Sequence, residues 1–231
     1  MSWAGRIDIV GRSTAQQVAD GLTNLILEGA MSPGERLSEA GMARSMGLSR
    51  NTVREAVRLL EKSGLVRYSF NRGLAVWNPT DDDVVDVFKA RGYLERMAAA
   101  AVTPAADMSA VHEAHQAYRE ALATRDARTI VEKDLAIHQA TVGLLGSERI
   151  NRFYAELMNE LRYFLVISSL ERHEYENTES IALEHQRLVD GYASGDPARA
   201  TDAVVAILEE NLELVRRVVA GRQSRSSSDS A

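Results

Sequence analysis

Leu48-Ser49-Arg50-Asn51-Thr52-Val53-Arg54-Glu55-Ala56-Val57-Arg58-Leu59-Leu60 decides the reading of this chain, because its residues sort into a helix with one apolar face and one cationic face. Val53, Val57 and Leu60 recur at i, i+4 and i+7 and make the buried stripe. Ser49 is placed to cap the helix, its hydroxyl accepting from a first-turn backbone N–H that has no helical partner. Arg50, Asn51 and Arg54 lie on or near one outward face close to the N-terminus, with Thr52 among them. Arginine forks match guanine edges and phosphates, and asparagine matches adenine, so this face has the chemistry of a helix that enters DNA. An ordinary arginine-rich surface helix shows the same local pattern, so the flanks must decide between the two.

Upstream, residues 15–28 carry a helical stripe of Val18, Leu22, Leu25 and Ile26, stopped by Gly29. Ser32-Pro33-Gly34-Glu35 reads as a turn. Residues 38–46 form a short second helix with Met42, Ala43 and Met46 as its apolar side, and Gly47-Leu48 is the tight connection that a helix-turn-helix requires. Downstream, Lys62-Ser63-Gly64 ends the third helix, and the strand-like runs 65–68 and 74–77 are joined through Asn71-Arg72-Gly73. Three helices and a two-stranded ribbon make a winged helix-turn-helix over residues 13–78, preceded by a flexible arm at 1–12. Arg72 at the wing tip is then placed to touch phosphate or the minor groove.

Composition agrees with a DNA-binding head on a separate body. The 231 residues have room for two domains, each with its own core. With no cysteine, disulfides, thiolate metal sites and cysteine nucleophiles are excluded. No apolar run approaches a membrane span, so the expected location is cytoplasmic, with no membrane partner. The formal charge of −6 is unevenly shared: residues 1–78 hold ten basic and seven acidic side chains, the remainder 17 and 26. An acidic body is kept off phosphates and favours one docking orientation. The small basic excess on the head calls for a homodimer.

From Thr80 to about Gly221 the punctuation predicts helix throughout, near 81–101, 107–124, 127–145, 147–170, 177–194 and 197–220. The fold expected is mainly α, a winged head plus an all-helical bundle over 79–221, with a serine-rich disordered tail at 222–231. Within the bundle, Asp134 and His138 stand at i and i+4 and can chelate one ion, which His185 from a later helix would join. Imidazole and carboxylate suit zinc, nickel, manganese or iron alike. Spacing alone leaves open the plainer reading, in which Asp134 pairs with His138 on a wet face and His185 is unrelated. Arg91 can fork onto an effector carboxylate or pair with Glu95 one turn away. Arg162 and Tyr163 interrupt the apolar run 157–170, which is long enough to line a cavity. His112, His115 and His173 read as solvent-facing or helix-end residues without a role.

Pro33-Gly34-Glu35-Arg36-Leu37, the run Leu48–Ala56, Leu59-Leu60-Glu61-Lys62-Ser63-Gly64-Leu65-Val66 and Arg72-Gly73 resemble the N-terminal domain of GntR-family bacterial transcription regulators. The resemblance implies that Ser49, Arg50, Asn51 and Arg54 contact the operator, with Arg72 and Gly73 contributing from the wing. Many members carry an arginine after the glutamate of the second helix; here that position is Ala40, with Arg36 or Arg44 as substitutes. Arg91-Gly92-Tyr93-Leu94-Glu95, Asp134-Leu135-Ala136-Ile137-His138 and Glu184-His185-Gln186-Arg187-Leu188-Val189-Asp190 resemble the ligand-binding FCD domain of the FadR subfamily. In its metal-binding members an aspartate and three histidines hold a divalent ion that helps bind a small carboxylate. Asp134, His138 and His185 match three of these; the fourth position falls on Ile207, with Asn211 one turn later as the nearest polar residue.

The leading expectation is a dimeric transcription regulator that binds operator DNA and answers to a small carboxylate metabolite, acting through Arg91, Arg162, Tyr163 and Asn211, with or without a divalent ion. One alternative is a metal-dependent enzyme built on Asp134, His138 and His185 with a tethered head, since three ligands and an open position suit catalysis. Against it, there is no nucleophile motif, phosphate loop or clear extra base. In another alternative, the helical domain only dimerises.

Overall fold

The computed structural model describes residues 12–27, 30–69, 73–173 and 178–228. The chain divides into two compact units, residues 1–78 and 79–231.

In the first unit, α1 (Thr14–Leu27), α2 (Glu39–Met46) and α3 (Arg50–Lys62) precede a hairpin of β1 (Val66–Ser69) and β2 (Gly73–Val76). Helix α3 packs on both other helices, burying Val53, Ala56, Val57 and Leu60. Its stripe is wider than the three residues expected, because Ala56 closes the gap between turns. Helix α1 buries Ala19, Leu22, Ile26 and Leu27, while Leu25 and, on α2, Met46 face outward. The expected stripes were thus rotated by about one position, and a small alanine marks the close approach better than a large apolar side chain. Ser38 caps α2, and Gly47 ends it at φ 64°, where its own N–H and that of Leu48 reach the last carbonyls of α2. That left-handed residue turns the chain directly into Ser49 and α3.

The hairpin is antiparallel, with Val66 opposite Val76 and Tyr68 opposite Leu74, shifted by one residue from the expected strands. The segment read as a plain turn also contributes: Arg36 bridges Ala75, and Leu37 N–H donates to the Leu74 carbonyl at 2.9 Å. The otherwise bare edge of β2 is thereby paired. Arg67 lies 4.1 Å over the buried Trp77 ring. Of the expected N-terminal arm, Arg12 is described and pairs with Asp20; residues 1–11, the Gly29 stop and the wing tip with Arg72 lie outside the described residues.

The second unit is helical: α4 (Asp81–Ala100), α5 (Ser109–Leu122), α6 (Ala127–Gly143), α7 (Glu148–Arg172), α8 (Glu179–Ala193) and α9 (Pro197–Ser228). A reciprocal capping box between Thr80 and Asp83 starts α4, and Asp81 to Asp83 complement its positive end. Asp126 and Ser147 cap α6 and α7. Helix α4 lies along α9, α5 on α6, α6 on α7 and α8 on α9. Gly195 turns the chain from α8 into α9 at φ 66°, with a Cβ position only 2.6 Å from Pro104, so a side chain is excluded there twice over. Helix α9 does not stop at Gly221. It continues to Ser228 through the segment expected to be disordered, since extending an existing helix needs no new nucleus and Arg222 is tied to Glu171. Among the described residues, no helix is long and apolar enough to cross a membrane.

Candidate DNA-reading face and candidate ion site

On α3 the cap and the reading face are one structure. Ser49 Oγ accepts from Thr52 N–H at 3.1 Å and shares a 2.9 Å hydrogen bond with Thr52 Oγ1, fixing the first turn. Ser49, Arg50, Asn51 and Arg54 are exposed around that turn, and Thr52 is half-buried beneath them. Arg54 Nε lies 3.6 Å from Glu39 of α2, an exposed contact that orients the guanidinium at little energetic gain. Arg36 and Arg44 are exposed as well, whereas Ala40 offers no polar group. Gly73 opens β2 at φ 75°.

In the helical unit, Asp134 and His138 of α6 and His185 of α8 are all buried, and each offers a ligand atom within 4.8 Å of the others. The plainer reading of a wet Asp134–His138 pair is thereby corrected, since the apolar sides of α6 and α8 turn these residues inward. His185 Nε2 meets Asp134 Oδ1 directly, and its Nδ1 donates to the Ile181 carbonyl at 2.7 Å. Burial opposes charge on His185, but Asp134 outweighs it and holds the imidazole above its ordinary range. Burial likewise resists ionisation of Asp134, and His185 overcomes it, keeping the carboxyl below its usual value. His138 Nε2, 3.7 Å from Asp134 Oδ1, is buried without a hydrogen-bond partner among the described residues. Burial pushes His138 towards its neutral form despite nearby carboxylates. A carboxylate and two imidazoles, one with an orphaned ring nitrogen, fit a divalent ion of the zinc, nickel, manganese or iron kind.

Behind His138 stands a group the sequence reading did not assign to the site. Glu95 is fully buried, its Oε1 accepting from Arg91 Nε and Tyr154 Oη, each at 2.5 Å, and its Oε2 2.9 Å from His138 Nδ1. Tyr192 Oη donates to the Glu95 carbonyl at 3.2 Å. Burial alone would raise the Glu95 carboxyl, but Arg91 and His138 hold it far below the carboxylate range. Burial disfavours charge on Arg91 too, and Glu95 more than restores it. The period of α4 carries the signal: Val84, Phe88, Arg91, Glu95 and Ala98 share the buried face. His115, expected at the surface, is also buried, in step with Val111 and Tyr118 on the inner side of α5. His112 and His173 are exposed.

A small cleft of about 50 Å³ opens beside Asp134 and His185. Ser168 and Ser169 of α7, Glu184 of α8, Asn211 of α9 and several apolar side chains line it, and the Ser168 hydroxyl is buried without a partner among the described residues. Asn211 therefore meets the ion site's cleft, while Ile207 is packed in the apolar core. Arg91, Arg162 and Tyr163 are not among the lining residues. Arg91 is turned to Glu95, Arg162 is half-buried and acts on Glu132, and Tyr163 is buried with its phenol pushed up to about 12 by desolvation. The lining holds the Asp134 and Glu184 carboxylates and neither lysine nor arginine.

Comparison with known proteins supplies the context. The FCD domain family matches residues 86–210, and the family of bacterial regulatory proteins, gntR family, matches residues 14–76. The HTH-type transcriptional regulator YdhC of Bacillus subtilis is 26% identical over 203 residues, covering 86% of this chain and 89% of its own length. A probable D-xylose utilization operon transcriptional repressor of Paenarthrobacter nicotinovorans is 26% identical over 194 residues, covering 83% of this chain and 84% of its own. Among solved structures, a GntR transcriptional regulator from Rhodococcus sp. RHA1 superposes with a TM-score of 0.72 at 28% identity, over 88% of this chain and 98% of that one. These families and relatives are transcription regulators, not enzymes.

Proposed function

Because the chain belongs to the GntR family of bacterial transcription regulators and carries an FCD domain, we propose that it binds its operator as a homodimer whose affinity is set by a small organic acid held, through a divalent ion, in the helical unit. Regulators of this type bind operator DNA, and the exposed first turn of α3 gives that activity its residues here. Arg50 and Arg54 supply forks for guanine or phosphate, Asn51 an amide for adenine, Ser49 and Thr52 the rigid cap, and Arg36 with the Gly73 wing flanking contacts. Two heads match a pseudo-palindromic site.

The observation that carries the sensor reading is the orphaned His138 Nε2 facing Asp134 and His185 beside a cleft lined by Ser168, Ser169 and Asn211. With two carboxylates and neither lysine nor arginine on its wall, the cleft gives an organic acid little to bind until an ion intervenes. Asp134, His138 and His185 would hold that ion, which supplies a positive centre with open positions for a carboxylate. Asn211, Ser168 and Ser169 read the hydroxyl or carbonyl groups on the rest of the molecule. Arg91 serves this site through Glu95 and not by touching the effector. The similar repressor of a D-xylose utilization operon makes polyhydroxylated, sugar-derived compounds the first to try.

The test is thermal melting of chelator-treated protein with nickel or zinc, followed by D-gluconate or citrate. The ion is expected to raise Tm, the acid to raise it further only after the ion, and Asp134→Ala to remove both effects. Melting that is indifferent to every ion and acid would leave the helical unit as a dimerisation module alone.

A further inference from the structure

We propose that Glu95 is the positioning residue of the ion site, holding His138 in the one tautomer whose Nε2 can take a metal. The inference rests on Asp134, His138 and His185 being the ligands, and it concerns a residue that contacts neither ion nor effector. Three donors from three helices surround the Glu95 carboxylate: Arg91 of α4 and Tyr154 of α7 at Oε1, and His138 of α6 at Oε2. A carboxylate so surrounded only accepts, so the ring nitrogen 2.9 Å from Oε2 carries the proton. His138 is then the Nδ1–H tautomer, and its Nε2 lone pair is directed at Asp134 Oδ1, 3.7 Å away. Asp134 Oδ1 is already met by His185 Nε2, so the His138 lone pair faces an acceptor and has no donor among the described residues, which leaves it open to a cation. His185 is fixed in the same sense by a different device, its Nδ1 donating to the Ile181 carbonyl.

The division of labour on Glu95 argues against simple neutralisation of Arg91. Arg91 and Tyr154 share one oxygen and leave the other wholly to His138. Arg91 offers only Nε to the pair, and its Nη1 and Nη2 are buried without partners among the described residues. A side chain serving only to quench the guanidinium would sit across its fork. Glu95 is instead turned so that α4, through Arg91, and α7, through Tyr154, aim its second oxygen at α6.

Glu95→Gln tests this directly. A glutamine can present an N–H to Nδ1, which selects the Nε2–H tautomer and points a proton where the ion would sit. In full-length protein with ¹⁵N-labelled histidine and no metal, long-range ¹H–¹⁵N spectra should show His138 as Nδ1–H in the wild type and shifted to Nε2–H in Glu95→Gln. Nickel affinity by calorimetry should fall by about 10–100-fold, the effect of losing such an outer partner. Since the single variant strands the Arg91 charge, Arg91→Gln/Glu95→Gln restores neutrality, and it should keep the fold and show the same loss. Tyr154→Phe, which leaves the His138 contact in place, should keep near-native affinity. A wild-type His138 found as Nε2–H, or a folded double variant with native affinity, overturns the proposal. Wild-type protein that binds neither nickel nor zinc removes the ligand reading alone, while the tautomer spectra still decide whether Glu95 orients His138.

Discussion

In the winged head, the groups offered to a ligand stand around the first turns of one helix, outside, on a scaffold fixed by a serine cap; in the helical domain they come from α6 and α8, are backed by Glu95 of α4, and are buried. The difference follows from what each must bind. DNA brings its own charge and shape, so exposed arginines on a rigid turn suffice, and their electrostatics are screened by water and salt. A small acid brings little surface, so its site must strip water away and arrange fixed charges in advance, which demands a network in which each buried polar group has a partner or awaits one. The head therefore tolerates loss of a functional side chain without loss of fold. The body cannot separate the two so cleanly.

Mutations should sharpen that contrast. The largest effect is expected from Arg50→Ala/Arg54→Ala, which removes two contacts worth about 1–3 kcal/mol each, so specific operator affinity should fall by roughly 30-fold to 10⁴-fold while melting is unchanged. Operator titration at fixed salt beside a thermal melt measures both, and undiminished sequence preference would displace α3 as the reading helix. Next comes Arg91→Met, which leaves the buried Glu95 carboxylate without its cationic partner and should cost about 3–5 kcal/mol of stability by denaturant unfolding. Replacing both partners with apolar residues should recover most of it; if the single variant unfolds like the wild type, the buried network is not what holds α4 in place. A smaller change is expected from Ser49→Ala, which removes the cap of α3 and should lower stability by about 1 kcal/mol. It should also weaken operator binding modestly, because here alone cap and reading face are the same turn. Weaker DNA binding without any stability loss would mean that Ser49 acts on DNA only.

The same contrast explains what could be read before the structure. Helix-turn-helix punctuation is local: Ser49, Gly47 and the Val53–Val57–Leu60 stripe declare themselves within a few residues, and α3 falls where they put it. The order of helices in the body was legible from caps such as Asp126 and from Gly195, though the end of α9 was not, because an added turn on an existing helix needs no strong signal. Asp134 and His138 were visible as an i, i+4 pair. His138 and Tyr154 lie 43 and 59 residues from Glu95, whose carboxylate they share, and no spacing rule spans such distances. His115 was a nearer miss, since its step with Val111 and Tyr118 already placed it on the inner face. Arg162 and Tyr163 were drawn in by an apolar run whose cleft side is carried instead by Leu165, Ser168 and Ser169.

The central claim is that an ion in the buried site links a small acid to the exposed reading helix. It is tested by fluorescence anisotropy of a duplex selected from a random library, titrated at one salt concentration with chelator-treated or nickel-loaded protein, each with and without D-gluconate or citrate. Linkage predicts that acid and ion together change operator affinity by about 5–150-fold, that acid with chelator does nothing, and that Asp134→Ala is indifferent to both. Operator affinity identical under all four conditions, with the acid shown to bind, would contradict it.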